Sequence, residues 1–245
     1  MIPKIIHYVW LGHGEQSETI RKCIQSWHEI LPEYEIKCWD ETNFDIDNAP
    51  SFVKEAYENK YWAFASDYVR LWVLNQYGGI YLDTDVEVKK SLTPFLCHRL
   101  FIGTQVFEVQ ESKTKIIQKT NLSIGVIGCE QGHPFIRECL EYYKDSGFVN
   151  KSDMTEVSNY QMARLLARFG YINEDKRQSL TEGIEVYTSI TFADRLQPNE
   201  ALDCYTYHWG EMSWYHPKPR GLFYKICWRL NLMQLYRWIE QLRKK

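Results

Sequence analysis

The chain has 245 residues with 29 Lys and Arg against 32 Asp and Glu, a formal charge of -3, and it is 44% hydrophobic and 25% charged. That balance supplies a full apolar core and excludes disorder, and the lack of a cationic excess argues against nucleic acid as the partner. Charge is uneven, however: residues 218–245 hold eight cations and one acid, a local +7 that leaves -10 on the 217 residues before them.

We therefore expect one domain over residues 1–217 and a basic appendage over residues 218–245. Aromatic residues reach 15%, which suits flat-faced ligands such as sugars and bases as well as an aromatic core. The seven cysteines are odd in number, scattered and without a C-x-x-C pair, so they read as small buried hydrophobes in a reducing compartment. The opening apolar run is too brief for a signal peptide or a membrane span, and a cytoplasmic location is expected.

Lys4 to Trp10 is apolar and β-branched without alternation, like a strand covered on both faces. Gly12 and Gly14 break it, and Ser17 is placed to cap a helix carrying Ile20, Ile24, Trp27 and Leu31 up to Pro32. Glu35 to Trp39 reads as a second strand, which completes a β-α-β unit. A polar stretch from Asp40 to Pro50 precedes a helix pattern around Phe52 to Tyr57. A longer helix is expected from Tyr61 to Tyr77, ended by Gly78-Gly79 because glycine takes the left-handed conformation without steric cost.

Ile80-Tyr81-Leu82 is then a short buried strand. Leu100 to Val109 and Ser123 to Cys129 are strand-like, and Phe135 to Tyr143 and Tyr160 to Phe169 helix-like. Ile184 to Phe192 reads as another strand, and Cys204 to Trp214 as an aromatic loop or strand. The sum is an α/β fold around a mostly parallel sheet flanked by helices.

Two Asp-x-Asp pairs occur. Asp45-Ile46-Asp47 sits in a polar loop with no strand before it and reads as a solvated turn. Asp83-Thr84-Asp85 follows a buried strand, at the kind of carboxyl edge where open α/β sheets bind ligands. If the chain stays extended there, residues i and i+2 project to one side, so both carboxylates can face one ion. Two oxygen ligands with open positions suit Mg²⁺ or Mn²⁺ completed by phosphate and water. On the helix before it, Ser66, Asp67 and Arg70 fall at i, i+3 and i+4 spacing on nearly one face.

The run Ala65-Ser66-Asp67-Tyr68-Val69-Arg70, with Tyr77-Gly78-Gly79-Ile80-Tyr81-Leu82-Asp83-Thr84-Asp85, resembles the DXD-containing sugar-binding region of a glycosyltransferase family. Its members include the fungal Och1-type mannosyltransferases and the bacterial capsule and lipopolysaccharide transferases, and it is related to the catalytic domain of the large clostridial glucosylating toxins. Ile5 to Gly12, with Trp27 and Pro32, is similar to the first strand and helix of the same proteins. The resemblance is dense from Ile2 to about Pro94 and patchy beyond.

The resemblance implies a GT-A type fold and a retaining transferase that uses a nucleotide-sugar, here a UDP-sugar, with Mn²⁺ or Mg²⁺. By the same resemblance Trp10 stacks on the base with the backbone of Val9 beside it, and Asp67 grips the donor sugar hydroxyls with Ser66 nearby. Arg70 lies near sugar and phosphate, Tyr81 packs against the nucleotide, Asp83 touches ribose and a metal-bound water, and Asp85 ligates the metal. Ser123 stands where many relatives have Asn, with Asn121 close by. In Tyr207 to Trp214, His208 is the implied third metal ligand, and Ser213 and Trp214 the pyrophosphate contacts. The implied acceptor is a glycan or lipid-linked saccharide of a capsule, O-antigen or lipopolysaccharide.

A sugar-1-phosphate nucleotidyltransferase would also use such a sheet, but it wants a basic Gly-rich loop after the first strand, and Leu11 to Glu15 has no Lys or Arg. A non-catalytic membrane-associated scaffold would have no need of paired carboxylates. In the appendage, Trp228, Leu232, Leu235, Ile239 and Leu242 fall at helical spacing among Arg229, Arg237, Lys244 and Lys245. Such a basic amphipathic helix suits an anionic membrane surface, where a lipid-anchored acceptor would reside. Deleting residues 222–245 is expected to remove co-sedimentation with anionic liposomes; equal recovery of both proteins in the pellet would discard the idea.

Overall fold

In the structure, a computed structural model that describes residues 1–110, 115–144, 158–195 and 203–211, strand β1 (Ile5–Val9) leads into helix α1 (Glu18–Ile30). Ser17 caps α1, its hydroxyl accepting the Ile20 amide at 3.2 Å. The chain continues through β2 (Glu35–Trp39), α2 (Ser51–Glu58), α3 (Trp62–Tyr77), β3 (Gly79–Leu82) and β4 (Val86–Val88). Strands β5 (Leu100–Gln110) and β6 (Ile116–Cys129), then helices α4 (Pro134–Lys144) and α5 (Ser158–Leu166), follow. Short strands β7 (Gln178–Ser179), β8 (Ile184–Tyr187), β9 (Phe192–Asp194) and β10 (Thr206–His208) complete the described elements.

Seven strands form one sheet in the order β2-β1-β3-β6-β5-β8-β7, and β4-β10-β9 form a second, smaller sheet. The expected α/β architecture with a helix-flanked central sheet is present. The sheet is mixed rather than mostly parallel: β1 pairs in parallel with β2 and β3, and β5 with β8, whereas β3-β6, β5-β6 and β7-β8 are antiparallel. The cause is local, because five residues between β5 and β6 are too few for the crossover a parallel pair needs.

Two cores cover the sheet, one on each face. Along β3, Tyr81 enters one core while Ile80 and Leu82 enter the other; along β5, Leu100 and Ile102 oppose Phe101. This explains the unbroken apolar run at β3, all four of whose residues are buried. Helix α3 packs into the first core and buries Ala65, Val69, Leu71, Val73 and Leu74 together with Asp67 and Arg70. It ends where Gly78 adopts φ +63, and a Cβ there would meet the Gln131 amide at 2.7 Å. Helix α1 serves the second core: Trp27 is fully buried and donates its indole N–H to Val86 O at 2.7 Å, while Ser26 Oγ accepts the Val88 amide at 2.9 Å.

Three expectations shift at their edges. The segment Ile184 to Phe192 divides, because a turn from Thr188 to Thr191 carries the chain out of the large sheet and into the small one. The helix expected from Tyr160 to Phe169 starts at Ser158 and closes in a 3-10 turn over Ala167–Phe169. Strand β6 begins at Ile116, well before Ser123. Residues 212–245, which contain Ser213, Trp214, the expected boundary at 217/218 and the basic appendage, lie outside the described residues. Among the described residues no helix is long and apolar enough to cross a membrane.

His7, in β1, is fully buried. Its Nδ1 accepts the Trp39 indole N–H at 3.0 Å, so the proton resides on Nε2, which donates to Gly78 O at 2.8 Å. Neutral imidazole satisfies both partners; imidazolium would set an N–H against the indole N–H. Burial is the main cause that pushes its pKa down to about 4, against a lesser upward pull from the Gly78 carbonyl. The unfolded chain takes up this proton near pH 6.5 and the native state resists until about pH 4. The contribution to stability is therefore complete above pH 6.5 and lost as pH falls through that window, about 3 kcal/mol in all. Urea unfolding at pH 7.5 and 4.5 should show a smaller difference for His7→Phe than for the wild type; equal differences would contradict this account.

Candidate functional site

Because β1, β2 and β3 run parallel, their carboxyl ends share one edge of the sheet. Trp10 leaves β1 at that edge and Asp83 leaves β3. Past Leu82 the condition of an extended chain is not met; the Val86 amide donates to Asp83 O at 3.0 Å and closes a tight turn. The turn is needed because β3 belongs to the large sheet and β4 to the small one.

The small sheet then delivers the third group. Strand β10 runs antiparallel to β4 with His208 opposite Val86, which sets His208 Nε2 3.0 Å from Asp85 Oδ1. Asp83, Asp85 and His208 offer ligand atoms that all lie within 4.8 Å of one another. The strap after β10 holds Asp85 further: the Trp209 amide donates to Asp85 O at 2.9 Å and the Glu211 amide to Asp85 Oδ2 at 2.7 Å. Ser17, at the start of α1, donates its hydroxyl to Glu211 Oε2 at 2.8 Å. Burial opposes charge on His208, yet Asp85 beside it outweighs burial and raises its pKa to about 9. Burial likewise opposes charge on Asp85, and the imidazolium overcomes it, so that carboxyl is held below its ordinary range.

Two carboxylates and an imidazole form a donor set suited to Mn²⁺ or Mg²⁺. The backbone leaves room for it at Gly125 of β6, where a Cβ would lie 3.0 Å from Asp83 Oδ2 and 3.2 Å from His208 Nδ1. In the absence of a divalent ion, protonated His208 supplies the positive charge next to Asp85.

Beside this cluster lies a buried charge group. Arg70 Nη2 is 2.9 Å from Asp67 Oδ1 and Nη1 is 3.2 Å from Asp83 Oδ1. Nη1 also donates to Ile124 O at 2.9 Å, and the guanidinium lies 4.6 Å over the Tyr81 ring. Its Nε is buried without a partner among the described residues. The i, i+3 pair is thus part of the core and not a surface ion pair. Burial chiefly, with Asp83 adding and Arg70 opposing, raises the Asp67 pKa to about 7. Arg70 itself stays charged, since the carboxylates around it overcome the cost of burial and move its pKa upward.

An irregularity in β6 makes the contact with Arg70 possible. The β5 pairing passes from Ile102–Ile127 directly to Gly103–Ser123, so residues 124–126 bulge away from β5. The bulge turns the Ile124 carbonyl to Arg70 and the Gly125 carbonyl to the Asp83 amide, at 2.9 Å.

The remaining sequence candidates divide. Trp10 is half-buried, with its indole N–H donated to Gly14 O at 2.8 Å, and Val9 is buried beside it. Ser66 returns its hydroxyl to Trp62 O at 2.8 Å, within its own helix. Tyr81 is only 2% exposed and donates its hydroxyl to Asp83 Oδ1 at 2.9 Å. Ser123 is buried, and buried Asn121 has an amide nitrogen without a partner among the described residues. Asp45 accepts from the Asn48 amide and side chain, as a solvated turn would. Sequence reading did not single out Gly125, the Ile124 carbonyl or the Glu211 amide. A glycine inside an apolar strand was the signal available for the first; backbone groups leave none.

The family described as glycosyltransferase sugar-binding region containing DXD motif matches residues 17–102, a span that includes Asp67, Arg70, Asp83 and Asp85. An uncharacterized glycosyltransferase of Acanthamoeba polyphaga mimivirus is 28% identical over 223 residues, which cover 87% of this chain and 84% of that protein. Inositol phosphoceramide mannosyltransferase 3 of Schizosaccharomyces pombe is 28% identical over 145 residues, 57% of this chain and 36% of that protein. A mannosyl phosphorylinositol ceramide synthase of Saccharomyces cerevisiae is 28% identical over 155 residues, 59% of this chain and 35% of its own length. The chain thus spans little more than a third of these fungal relatives. Among solved structures, PaToxG Glycosyltransferase is similar at 19% identity and a TM-score of 0.48, over 68% of this chain and 69% of that one. The aspartate pair and the buried Asp67–Arg70 group both fall within residues 17–102, the part of the chain that matches the glycosyltransferase sugar-binding region containing the DXD motif.

Proposed function

We propose that the chain moves a hexosyl group from a nucleotide-sugar, a UDP-sugar in the first instance, to a lipid-linked saccharide or glycan, with retention of anomeric configuration. The observation that carries this reading is the convergence of Asp83, Asp85 and His208 on one point at the carboxyl edge of the sheet, next to buried Asp67 and Arg70. These three would hold Mn²⁺ or Mg²⁺, with the imidazole favouring Mn²⁺. When bound, the ion supplies positive charge to the diphosphate leaving group.

The chain's own groups do the rest. Glycosyl transfer breaks the bond between the anomeric carbon and the phosphate oxygen, and the electron pair departs with the diphosphate. Arg70, kept cationic by Asp67 and Asp83, stabilises that developing charge from a fixed position. Asp67 accepts hydrogen bonds from donor-sugar hydroxyls, and Trp10 stacks on the base. The acceptor hydroxyl bonds to the anomeric carbon on the face the phosphate leaves, and its proton passes to the departing phosphate oxygen. No side chain is required as a covalent nucleophile. Ser213 and Trp214 complete the pyrophosphate contacts in this reading.

A lipid-linked acceptor is supported by the fungal relatives, whose names concern inositol phosphoceramide. It also agrees with the alternation of apolar residues and cations over residues 222–245. We place the reaction at the cytoplasmic face of a membrane, in the assembly of a surface polysaccharide or glycolipid.

Release of nucleoside diphosphate from a panel of UDP-hexoses and GDP-mannose with Mn²⁺ tests the reading. Asp85→Asn should lower turnover at least about a hundredfold, the scale of losing one element of charge stabilisation; wild-type turnover would remove the metal site. Gly125→Ala, which presses a methyl on Asp83 and His208, should weaken Mn²⁺ binding by about tenfold, or roughly 1.4 kcal/mol, with little change in melting temperature. Unchanged Mn²⁺ affinity by calorimetry would mean that the ion does not sit at Gly125. Proton NMR of the product should give an α-linkage from an α-donor, and a β-linkage would refute retention.

A further inference from the structure

Where β1 ends, the chain makes an awkward turn. Gly12 has φ +91 and His13, with a side chain, has φ +55, a conformation that surrounding contacts have to impose. One carboxylate supplies the strongest of them. Glu41, just after β2, accepts the Gly12 amide at 2.6 Å and the Tyr57 hydroxyl at 3.0 Å on the same Oε1. Its side chain is only 14% exposed. On the other side, Trp62 lies so close that a Cβ on Gly12 would come within 2.4 Å of its ring, and Tyr57 packs on Trp62 with ring centroids 4.9 Å apart. Glu41 thus ties the turn to α2, and Trp62 wedges it from α3.

The turn matters because of what it holds. Gly14 O accepts the Trp10 indole N–H at 2.8 Å, so the Leu11–Gly14 segment sets the plane of the Trp10 ring. Trp10 is held from the other side by its own amide, which donates to Trp39 O at 2.9 Å. Hydrogen bonds to a charged acceptor are stronger than neutral ones, and Glu41 reaches this turn twice, its Oε1 accepting the Gly12 amide and its Oε2 lying 3.7 Å from His13 Nδ1.

We propose that Glu41 is a positioning residue for nucleotide binding: through the Gly12 amide it locks the Leu11–Gly14 turn, and through that turn it orients the indole of Trp10. This rests on the reading of Trp10 as the base-stacking residue. It goes beyond that reading in naming a residue that touches neither base, sugar nor metal and yet sets donor affinity. The preorganised turn spares the nucleotide the cost of ordering it on binding. Loss of the tether therefore raises the donor KM and leaves the bond-breaking step alone.

The test is calorimetric binding of UDP and GDP with Mn²⁺ to the full chain, together with steady-state kinetics. Glu41→Ala is expected to weaken the nucleotide about tenfold and to raise the donor KM as much, with kcat within about twofold of wild type. Glu41→Gln, which keeps an oxygen for both donors, should recover most of that loss. In the Trp10→Ala background Glu41→Ala should cost less than about twofold, because the ring it orients has gone. Wild-type nucleotide affinity in Glu41→Ala, or full multiplication of the two losses in the double variant, would overturn the proposal. If Glu41→Ala does not fold, Tyr57→Phe releases one of the two donors and should weaken binding two- to threefold, and an unchanged value overturns the proposal equally. Unchanged affinity in Trp10→Ala would instead refute the stacking reading itself, and the role of Glu41 with it. If Asp85→Asn abolishes turnover in the same series, the transferase assignment survives either failure.

Discussion

The structure turns on one buried cation. Arg70 is 5% exposed in the middle of α3, and moving an unpaired guanidinium out of water costs several kcal/mol even after relaxation. Its partners come from separate parts of the chain: Asp67 one helical turn earlier, Asp83 after β3, the Ile124 carbonyl in the β6 bulge and the face of Tyr81. Omitting any of them strands charge inside the core, so the position of the DXD turn relative to α3 is tightly specified. Among the described residues the same network leaves Arg70 Nε without a partner.

That constraint accounts for the irregular parts of the sheet. A regular β6 would pair its full length with β5, and the Ile124 carbonyl would be used up in that ladder. Displacing residues 124–126 from β5 frees one carbonyl for Arg70 and another for the Asp83 amide. It also places a residue without a side chain against Asp83 and His208. Antiparallel β6 next to β3 is what allows this. It runs back along the strand that carries the aspartates, so its bulge falls at the edge where they emerge.

Much of this was legible in the sequence. The β-α-β unit, the capping Ser17, the Gly-Gly stop after α3 and the buried β3 followed from apolar period and glycine placement, which are local signals. The grouping of Asp67, Arg70, Asp83 and Asp85 came from linked motifs in order, and the structure brings those four side chains together. What the sequence did not reveal depends on tertiary choices. Strands as short as β4 and β7 have no pattern of their own, and the split at Thr188 depends on a second sheet that no single segment encodes. The burial of Tyr81 under Arg70 became visible only with the packing. The mixed strand directions followed from a hairpin between β5 and β6 that periodicity alone could not distinguish from two separate parallel strands.

The site also spans a seam in the architecture. Asp83 hangs from the large sheet, and Asp85 precedes β4 of the small one. His208 arrives on β10, more than a hundred residues later, and meets Asp85 only because β10 pairs with β4. Without a divalent ion, the His208–Asp85 pair and the amides of Trp209 and Glu211 on Asp85 tie the β10 strap to the DXD turn. A cation bound by all three groups would bridge turn and strand directly, and such binding free energy adds to the stability of whatever it joins. In the proposed function the metal site and the sheet junction are then one physical object, with Ser17 at the head of α1 anchoring the far end of the strap through Glu211.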